Sequence, residues 1–512
     1  MVRMPNSGQR SEQEETKMIP ELKEIREIAK KADYGRIPVK KEIYADRYTP
    51  IEVMRTLRAA SRHCYLLESA HKDEKWGRYS FLGYSPTLEF TCTDGRMRIR
   101  WLSEDLVTGE EEICTGTPNG RIREILKKYK SPRLEGFPPF TGGLVGYFSY
   151  DYLKYAEPSL REKNLKGDSF RDVDLMLFDK VIVFDHYRQK LLLIAGVDPQ
   201  DAKSSYEKAA KELEELERLL NSGARADFKP LRLEDELKPV YSKERFQEMV
   251  KRAKYYIREG DIFQVVLSNP LRAKAQGSLF DTYRVLRTSN PSPYMFYFSS
   301  DDIEVAGASP ETLVKLEDGI LHTFPLAGTR PRGETEQEDK ALERELLADE
   351  KELAEHNMLV DLGRNDLGKI SRLGSVKVEQ YLGIEKFSHV MHIGSTVKGQ
   401  IRQDRDALDA VSAVLPAGTL SGAPKIRACQ IIQELEQEKR GIYGGAIGYL
   451  DFTGNLDVCI SIRLAYKKNG KVCVQSGAGI VADSVPEREF AECTNKAKAV
   501  VQALREAEGG GL

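Results

Sequence analysis

Two pairs of glutamates, each spaced by three residues, could hold a divalent cation. Glu352 and Glu355 fall in one predicted helix, and Glu489 and Glu492 fall in another. Residues three apart lie on the same face of a helix, so two such helices can present four carboxylates to one ion. Mg²⁺ prefers oxygen ligands and typically takes one or two carboxylates directly, with water or substrate oxygens for the rest. On spacing alone such pairs usually mark a solvated helix face, so their surroundings must decide.

The surroundings are four polar, glycine-containing motifs in the C-terminal part of the chain. Glycine places no Cβ between backbone and ligand, so loops rich in glycine and threonine can bring backbone N–H groups close to an anion. Beside two acidic helices, such loops predict an enzyme site for a small polyanion held by backbone and metal. The motifs are Phe-Pro-Leu-Ala-Gly-Thr-Arg (324–330), Glu-His-Asn-Met-Leu-Val-Asp-Leu-Gly-Arg-Asn-Asp-Leu-Gly (355–368), Pro-Ala-Gly-Thr-Leu-Ser-Gly-Ala-Pro-Lys (416–425) and Gln-Ser-Gly-Ala-Gly-Ile-Val-Ala-Asp-Ser (475–484).

The composition argues against several other classes of protein. The 512 residues carry a net charge of −2 at pH 7, which provides no basic footprint for nucleic acid. No apolar run is long enough to predict a membrane-spanning helix. Residues 1–17 contain several acids and no apolar core, so we expect a solvated tail rather than a signal peptide. Seven cysteines without a CxxC pair predict free thiols in a reducing compartment, the cytoplasm.

The periodicity of apolar residues predicts a strand-rich N-terminal unit, a charged helix, a polar linker at 221–240 and a second, mixed unit. The helices alternate with strands to the end of the chain, and no internal repeat is visible. The predicted strands are Cys64–Ser69, Thr87–Thr91, Arg96–Trp101, Leu175–Phe184, Lys190–Ile194 and Ile262–Ser268, and the predicted helices are Ala202–Leu220, Lys243–Glu259, 338–360 and 486–505.

Taken together, the motifs resemble those of the chorismate-utilising enzymes, and most closely the large aminating subunits of anthranilate synthases. The resemblance extends over roughly residues 42–500 and is densest at 255–497. It implies an α/β fold of the α+β type, a mixed β/α/α/β sandwich with two outer sheets and helices between them. The implied domains are a tail and helix at 1–41, an N-terminal regulatory domain at 42–240 and a chorismate-binding catalytic domain at 241–505.

The resemblance assigns the cofactor. In this family one Mg²⁺ binds a carboxylate of chorismate, and the matching ligands are Glu355 and Glu492. Glu352 and Glu489 match the groups behind them, which act through water or from a second layer.

The resemblance also assigns the groups that bind chorismate. Arg463 and Tyr443 match those that hold the enolpyruvyl carboxylate, for which a guanidinium offers a planar fork. Thr419 and two glycines would hold the ring carboxylate through hydroxyl and backbone N–H groups. The substrate-binding set implied in this way comprises Gly328, Thr329, Tyr443, Arg463, Gly477, Ala478 and Gly479, with Thr419 counted among the catalytic residues.

Two residues match catalytic groups of the family. Glu311, in Gly307-Ala-Ser-Pro-Glu311, matches the general acid for the C4 hydroxyl of the ring. Hydroxide is a poor leaving group, so a carboxyl that stays protonated near neutral pH suits that role. His392 matches the histidine associated with the later elimination of pyruvate. Without the resemblance, Glu311 is better described as an ordinary acid at a helix start after Pro310.

Two positions distinguish branches of the family. Gln264 stands where isochorismate and salicylate synthases carry a lysine that can activate water. Ammonia is already nucleophilic, so a neutral amide that orients it is sufficient. Ala327 stands where aminodeoxychorismate synthases carry a nucleophilic lysine, and a methyl group cannot replace it. Gln264 favours ammonia as the second substrate, and Ala327 favours its addition at C2 and so anthranilate as the product.

Two segments resemble the family's feedback site for tryptophan. Glu68 would pair with the amino group of the inhibitor, and an indole-sized apolar pocket would form around the prolines. The same segments could simply be a strand end and a turn. The residues concerned are Leu67, Glu68, Ser69, Asn290, Pro291, Ser292, Pro293, Tyr294 and Met295.

No cysteine lies in a Gly-x-Cys-x-Gly elbow, so the chain lacks the nucleophile of a glutaminase. We therefore expect it to use free ammonia alone and to need a partner glutamine amidotransferase subunit, component II, in a hetero-oligomer when glutamine is the source. Two alternatives stay open: an aminodeoxychorismate synthase component I, and a non-catalytic tryptophan-binding homologue. An isochorismate synthase is disfavoured by Gln264.

Overall fold

The computed structural model places two large antiparallel sheets at the centre of the molecule. Residues 1–17, where the predicted tail lies, fall outside the part that the structure describes. The described residues are 18–70, 77–114, 116–161, 165, 170–386 and 390–509.

The named strands pair only with antiparallel neighbours. In chain order they are β1 (Ile37–Tyr44), β2 (Cys64–Glu68), β3 (Tyr79–Tyr84), β4 (Leu88–Thr93), β5 (Arg96–Ser103), β6 (Leu106–Cys114), β7 (Gly143–Phe148), β8 (Val173–Phe178), β9 (Val181–Asp185), β10 (Lys190–Val197), β11 (Arg232–Leu233), β12 (Lys238–Pro239), β13 (Gln264–Gln276), β14 (Tyr294–Ser299), β15 (Ile303–Ser309), β16 (Thr312–Glu317), β17 (Ile320–Thr323), β18 (Leu326–Pro331), β19 (Lys377–Lys386), β20 (Val390–Gln400), β21 (Gly422–Ala423), β22 (Ala446–Asp451), β23 (Leu456–Ile460), β24 (Leu464–Lys468) and β25 (Lys471–Ile480).

Helices connect many of these strands. They are α1 (Leu22–Ala29), α2 (Pro50–Ala60), α3 (Asn119–Lys128), α4 (Leu153–Ala156), α5 (Ala202–Asn221), α6 (Lys243–Arg258), α7 (Phe280–Ser289), α8 (Glu336–Ala348), α9 (Glu350–Gly368), α10 (Ala407–Val414), α11 (Lys425–Glu436) and α12 (Pro486–Glu508), with 3₁₀ turns at Tyr150–Tyr152, Pro158–Leu160 and Gly418–Leu420.

Both sheets contain strands from each side of the predicted domain boundary at residue 240. The first sheet has the main order β1-β10-β9-β3-β2-β14-β15-β24-β25-β13-β11, and the second has the order β18-β20-β17-β16-β23-β22-β7-β8-β4-β5-β6. Strand β2 pairs with β14, with Glu68 opposite Met295, and β7 pairs with β22, with Gly146 opposite Gly448. The domain limits at 41, 240 and 505 stay predictions.

The structure confirms the mixed α/β class with two large sheets, but the order of layers in the centre differs from the predicted one. There the sheets face each other directly, for example through Tyr65 of the first and Phe178 of the second, whose ring centroids are 4.6 Å apart. Helices such as α5 and α10 cover the opposite faces. The reason is that central strands are apolar on both sides, so each sheet buries both faces.

Strand β8 illustrates this double burial. Leu175 and Leu177 point to the helix-covered core, while Met176 and Phe178 point to the other sheet. The predicted strand Leu175–Phe184 is therefore two strands, β8 in the second sheet and β9 in the first. The chain changes sheet between them, at residues 179 and 180.

The predicted helix 338–360 is also two elements. It is interrupted at Asp349, whose side chain accepts hydrogen bonds from the backbone N–H groups of Lys351 and Glu352 and so begins α9. A capping aspartate of this kind accepts from the first backbone N–H groups of a new helix, which have no partner within that helix. Across the described parts of the chain, the structure contains no helix long and apolar enough to cross a membrane.

Candidate active site

One cavity of about 960 Å³ collects most of the residues predicted to act on a substrate. It lies where the N-terminal turns of α9 and α12 meet β13, β18, β20 and β25. The predicted residues that line it are Gln264, Asn290, Pro291, Ser292, Pro293, Glu311, Gly328, Thr329, Glu352, Glu355, His392, Thr419, Tyr443, Arg463, Gly477, Gly479, Glu489 and Glu492.

Both glutamate pairs enter the cavity from the beginning of a helix. Glu352 and Glu355 lie in the first two turns of α9, and Glu489 and Glu492 lie in the first two turns of α12, which Pro486 begins. The positive end of the helix dipole favours carboxylates at these positions. The two helices therefore present both glutamate pairs to one cavity.

The electrostatics of the carboxylates suit a hard cation. Burial raises the pKa of Glu352, and the negative charges of Glu355 and Asp349 raise it further. Burial also raises the pKa of Glu489, and the charge of Glu492 adds to this. Carboxylates that repel each other in a cavity are stabilised by a divalent ion, and oxygen donors are the ligands that Mg²⁺ prefers.

The four carboxylates do not form a closed cage. Among the described residues, no three of them bring oxygen atoms within 4.8 Å of one another. Glu492 instead contacts Lys496, with 2.8 Å between Oε1 and Nζ. An open donor set is compatible with an ion that also takes oxygens from water and from a ligand. The residues present therefore fit a Mg²⁺ ion whose coordination is completed by oxygens of water and of a bound ligand.

Glu311 is a carboxyl that stays protonated near neutral pH. Burial raises its pKa to about 8, against the opposing effects of a hydrogen bond from Thr419 and the positive charge of Arg463. The Thr419 hydroxyl lies 3.2 Å from Oε1 and 3.3 Å from Oε2. Thr419 lies in the 3₁₀ turn Gly418–Leu420. This arrangement can deliver a proton to a leaving group in the cavity.

His392 is held in one tautomer by a bulge in the neighbouring strand. Its Nδ1 lies 2.8 Å from the carbonyl oxygen of Gly328 and 3.1 Å from Oγ1 of Thr329. A carbonyl only accepts hydrogen bonds, so Nδ1 carries the hydrogen and Nε2 is the basic nitrogen of the neutral ring. Burial lowers the pKa of His392, so the ring is neutral and can take up a proton. Gly328 adopts φ +66°, which glycine tolerates best.

Arg463 provides a positive charge that forms no ion pair with any residue in the described part of the chain. Among the described residues, no carboxylate oxygen lies within 4 Å of its guanidinium, which lines the cavity. Its backbone is left-handed, with φ +51°. An arginine in this conformation stores strain of roughly 1–3 kcal/mol, which is typical of functional sites. The guanidinium is therefore available for an anionic ligand.

Two glycines on β25 leave room for the side chains of Tyr443 and Gln264. A Cβ atom on Gly477 would approach the hydroxyl oxygen of Tyr443 to 2.9 Å, and one on Gly479 would approach Nε2 of Gln264 to 2.7 Å. The amide of Gln264 and the phenol of Tyr443 therefore lie directly over the glycine backbone. Ala478, between them, points the other way, because side chains alternate along a strand, and it packs in the core with Val265 and Leu267. Its side chain does not line the cavity.

The segments predicted to bind tryptophan lie next to each other. Met295 is opposite Glu68 and Phe296 is opposite Leu67 in the β2–β14 pair, and the N–H of Ala70 donates to the carbonyl of Ser292. Within the predicted set, Asn290 to Pro293 also reach the large cavity, whereas Leu67, Glu68, Ser69, Tyr294 and Met295 do not line it.

Glu68 already has partners in this structure. Its Oε2 accepts from the hydroxyl of Tyr283 at 2.6 Å, and its two oxygens accept from Arg287 at 2.9 and 3.0 Å. Tyr294 connects the two sheets, because its hydroxyl lies 2.8 Å from Oγ1 of Thr312 and 2.9 Å from an oxygen of Asp457. An amino group at Glu68 would compete with the guanidinium of Arg287.

The sequence reasoning missed the basic residues of the cavity. Lys351, Arg488 and Lys496 line it together with the glutamates. The signal was available for Lys496, which is four residues from Glu492 and therefore on the same helix face. No local pattern singled out Lys351 or Arg488 among the many charged residues of α9 and α12.

Comparisons with known proteins match most of the chain to one family. The family model described as chorismate binding enzyme matches residues 62–502. Anthranilate synthase component 1 of Acetivibrio thermocellus is 46% identical over 498 residues, which cover 95% of this chain and 99% of that protein. The protein of the same name from Aquifex aeolicus is 44% identical over 493 residues, which cover 95% of this chain and 98% of that protein.

Solved structures resemble the fold over most of the chain. A crystal structure of anthranilate synthase component I from Streptococcus pneumoniae is 39% identical, covers 83% of this chain and 92% of that one, and gives a TM-score of 0.71. The menaquinone-specific isochorismate synthase of Escherichia coli is 18% identical, covers 94% of this chain and 98% of that one, and shares the fold with a TM-score of 0.65.

Proposed function

The chain belongs to the chorismate-binding enzymes, and we propose that it catalyses the reaction after which its relatives are named, the amination of chorismate to anthranilate. In this lyase reaction chorismate and ammonia give anthranilate, pyruvate and water. The reaction commits chorismate to the synthesis of tryptophan. We place it in the cytoplasm, since all seven cysteines of the chain are free thiols.

The observation that carries the proposal is the position of Gln264. Its amide lines the cavity beside Gly479, where a lysine would be needed to activate water. A neutral amide can accept a hydrogen bond from ammonia and orient its lone pair without taking part in proton transfer. Ala327 lines the same cavity and offers only a methyl group, so this position supplies no nucleophile to the ring.

The first step is an addition with loss of water. Arg463 and Tyr443 would hold the enolpyruvyl carboxylate of chorismate, and Gly477, Gly479 and Thr419 would hold the ring carboxylate. Glu311 donates its proton to the C4 hydroxyl as the C–O bond breaks, and ammonia forms a bond to C2. The raised pKa of Glu311, about 8, keeps the acid in its active form at neutral pH. The product of this step is aminodeoxyisochorismate.

The second step is an elimination that creates the aromatic ring. A proton leaves C2, the bond between the ring and the enolpyruvyl oxygen breaks, and the enol picks up a proton to become pyruvate. His392 can receive the C2 proton on Nε2, since its Nδ1 hydrogen is engaged by the carbonyl of Gly328. Aromaticity makes this step favourable.

Mg²⁺ is the proposed cofactor, and Glu355 and Glu492 would hold it, with Glu352 and Glu489 acting through water. When bound, the ion would neutralise and orient a carboxylate of chorismate. The pKa values of Glu352 and Glu489 are raised by burial and further by neighbouring carboxylates, and this grouping of acids on one side of the cavity supports the assignment.

We also propose that tryptophan inhibits the reaction from the segments around Glu68 and Pro291. Its ammonium group would take the place of Arg287 at the carboxylate of Glu68. Because Asn290 to Pro293 reach the catalytic cavity, a ligand that reshapes this segment can lower the affinity for chorismate. By linkage, chorismate would then lower the affinity for tryptophan by the same factor.

The second substrate, ammonia, would come from a partner glutamine amidotransferase subunit, component II. None of the seven cysteines has the setting of a glutaminase nucleophile, and six of them are buried. The working enzyme is therefore proposed to be a hetero-oligomer when glutamine is the nitrogen source.

The test uses the purified chain with chorismate, Mg²⁺ and an ammonium salt at mildly alkaline pH, following anthranilate fluorescence and pyruvate. Parallel samples omit the metal, replace ammonium by glutamine, or add tryptophan. The proposal predicts anthranilate only with ammonium and metal, and less of it with tryptophan. Chorismate consumed without anthranilate would assign another chemistry to Gln264 and Ala327. Unconsumed chorismate would favour a binding protein over an enzyme.

A further inference from the structure

A fully buried ion pair stands directly behind the walls of the catalytic cavity. Glu436 ends α11, Arg440 follows it by four residues, and their side chains are only 2% and 1% exposed. The guanidinium binds the carboxylate through Nε at 2.9 Å and Nη2 at 2.5 Å. Neither residue lines the cavity, so the pair does not contact substrate.

The remaining donors of Arg440 go to two segments that carry catalytic residues. Nη1 donates to the carbonyl of Leu420 at 2.7 Å, and Leu420 follows Thr419. Nη2 donates to the carbonyl of Val266 at 2.7 Å, two residues after Gln264 on β13. One guanidinium thus binds both the turn that contains Thr419 and the strand that contains Gln264, and so fixes the distance between them.

Arg440 and Glu436 also contact the segments that carry Tyr443 and Gly477, directly or through Ser268. The guanidinium carbon of Arg440 lies 5.9 Å from the ring centroid of Tyr443. Glu436 accepts hydrogen bonds from the N–H and the hydroxyl of Ser268, at 2.8 and 3.0 Å. Ser268 in turn accepts from the side-chain amide of Gln475 at 2.8 Å, two residues before Gly477.

We infer that Arg440 and Glu436 are positioning residues for the proposed reaction: one buried ion pair holds the segments of Gln264, Thr419, Tyr443 and Gly477 in register. The inference rests on the proposed function for the identity of the substrate. The geometric reason is that Leu420 and Val266 each accept a buried charge-assisted hydrogen bond from the same planar group, so neither segment can move without breaking one. Tyr443 contacts that group through its ring, and the segment of Gly477 is joined to the carboxylate of Glu436 through Ser268 and Gln475.

Lysine cannot replace this arginine. An ammonium group keeps the charge but is a compact point with three donors, and it cannot reach both carboxylate oxygens and two carbonyls on different sides. Arg440→Lys should therefore keep the ion pair with Glu436 but lose the hydrogen bond to the carbonyl of Leu420, of Val266, or of both. Since a displacement of about 1 Å in an active site can cost roughly 100-fold in rate, we expect kcat/KM for chorismate to fall about 10–100-fold.

The chain offers a matched control in Arg36. This arginine is also buried, bonds Asp179 and the carbonyls of Thr141 and Asp179, and stacks over Phe452, but its partners do not line the cavity. Arg36→Lys removes a similar set of contacts. It should lower the melting temperature comparably and leave kcat/KM for chorismate unchanged within about 3-fold.

The experiment compares three proteins, the parent chain, Arg440→Lys and Arg36→Lys, well below their melting temperatures. It measures the dissociation constant of chorismate by calorimetry with Mg²⁺ present, and kcat and KM for chorismate and ammonium separately. Sucrose is added in a parallel series to stabilise folded chains. We expect weaker chorismate binding and a lower kcat in Arg440→Lys only, with no recovery in sucrose.

The outcomes separate the inference from the proposed function. Equal chorismate affinity and kcat in all three proteins, or full recovery of Arg440→Lys by sucrose, would overturn the positioning role. A parent chain that binds chorismate but forms no anthranilate would overturn the proposed function alone, since the affinity difference between variants could still be measured. A parent chain that does not bind chorismate would overturn both.

Discussion

Replacing Glu311 by glutamine should remove activity and, unlike most active-site substitutions, make the folded chain relatively more stable as the pH rises. The carboxyl has a pKa of about 8 in the folded chain, against an ordinary value of 4.5, because burial penalises its charged form. In the pH range between these two values the folded state holds a proton that the unfolded state has lost. Folding stability from this group therefore falls as the pH rises through this range.

The magnitude follows from the two pKa values. The free energy difference between the two states of Glu311 grows by about 1.36 kcal/mol for each pH unit between 4.5 and about 8. It amounts to about 2 kcal/mol at about pH 6 and to about 5 kcal/mol at about pH 9. Glutamine does not titrate, and its oxygen can still accept the hydrogen bond from Thr419. The stability of Glu311→Gln relative to the parent should therefore increase by about 3 kcal/mol between these two pH values.

Urea unfolding of both proteins at the two pH values measures this difference. Glu244→Gln is the matched control, because Glu244 is exposed and its pKa is lowered by hydrogen bonds at the beginning of α6, so it stays ionised at both values. At a fixed concentration of free ammonia, the rate of the parent should also decrease above about pH 8 as the acid is lost. A stability difference that does not change with pH would refute the reasoning about Glu311.

Three further predictions concern the metal, the second step and the inhibitor. Glu355→Gln should raise the Mg²⁺ concentration for half-maximal rate at least about 10-fold, and an unchanged metal requirement would remove Glu355 from the site. His392→Met should consume chorismate and accumulate aminodeoxyisochorismate, visible by chromatography and mass spectrometry; rapid anthranilate formation would contradict the role of His392. Glu68→Gln should weaken tryptophan inhibition about 10-fold or more, and the rate without tryptophan should not change. Unchanged inhibition would place the inhibitor elsewhere.

The cavity's acidic side could be predicted because it depends on local geometry. Glutamates three residues apart share a helix face in any helix, and both predicted helices exist at those positions. The break at Asp349 was also present in the sequence, since an aspartate three residues before Glu352 is a common helix start. The single helix predicted at 338–360 was wrong because the helical spacing of the apolar residues continues across Asp349, although Asp349 begins a new helix.

Ala478 shows where a motif misleads. Gly477, Ala478 and Gly479 form one short motif, so the sequence alone suggests one role for all three. In a strand the neighbours of each residue point to the opposite face. The glycines line the cavity, while the methyl group of Ala478 packs against Leu267 behind it. Recognising β25 as a strand across the whole motif would have separated them.

The contacts of Arg440 could not be predicted, for a different reason. The two residues of the ion pair are near each other in sequence, but Val266 is 174 positions away from Arg440. No local period or spacing encodes a hydrogen bond to a carbonyl so distant, and a buried arginine looks like a surface arginine in a sequence. Only the three-dimensional arrangement identifies the group that these walls share.

The order of layers marks the same limit at the scale of the whole fold. An uninterrupted apolar run such as Val173–Phe178 indicates a strand buried on both faces. It does not indicate whether helices or a second sheet cover each face, because an apolar surface accepts either. Here Met176 and Phe178 meet the other sheet, and Leu175 and Leu177 meet the helix-covered core. The partner of each face is determined by connections such as residues 179–180, where the chain crosses from one sheet to the other, so the layer order depends on topology rather than on composition.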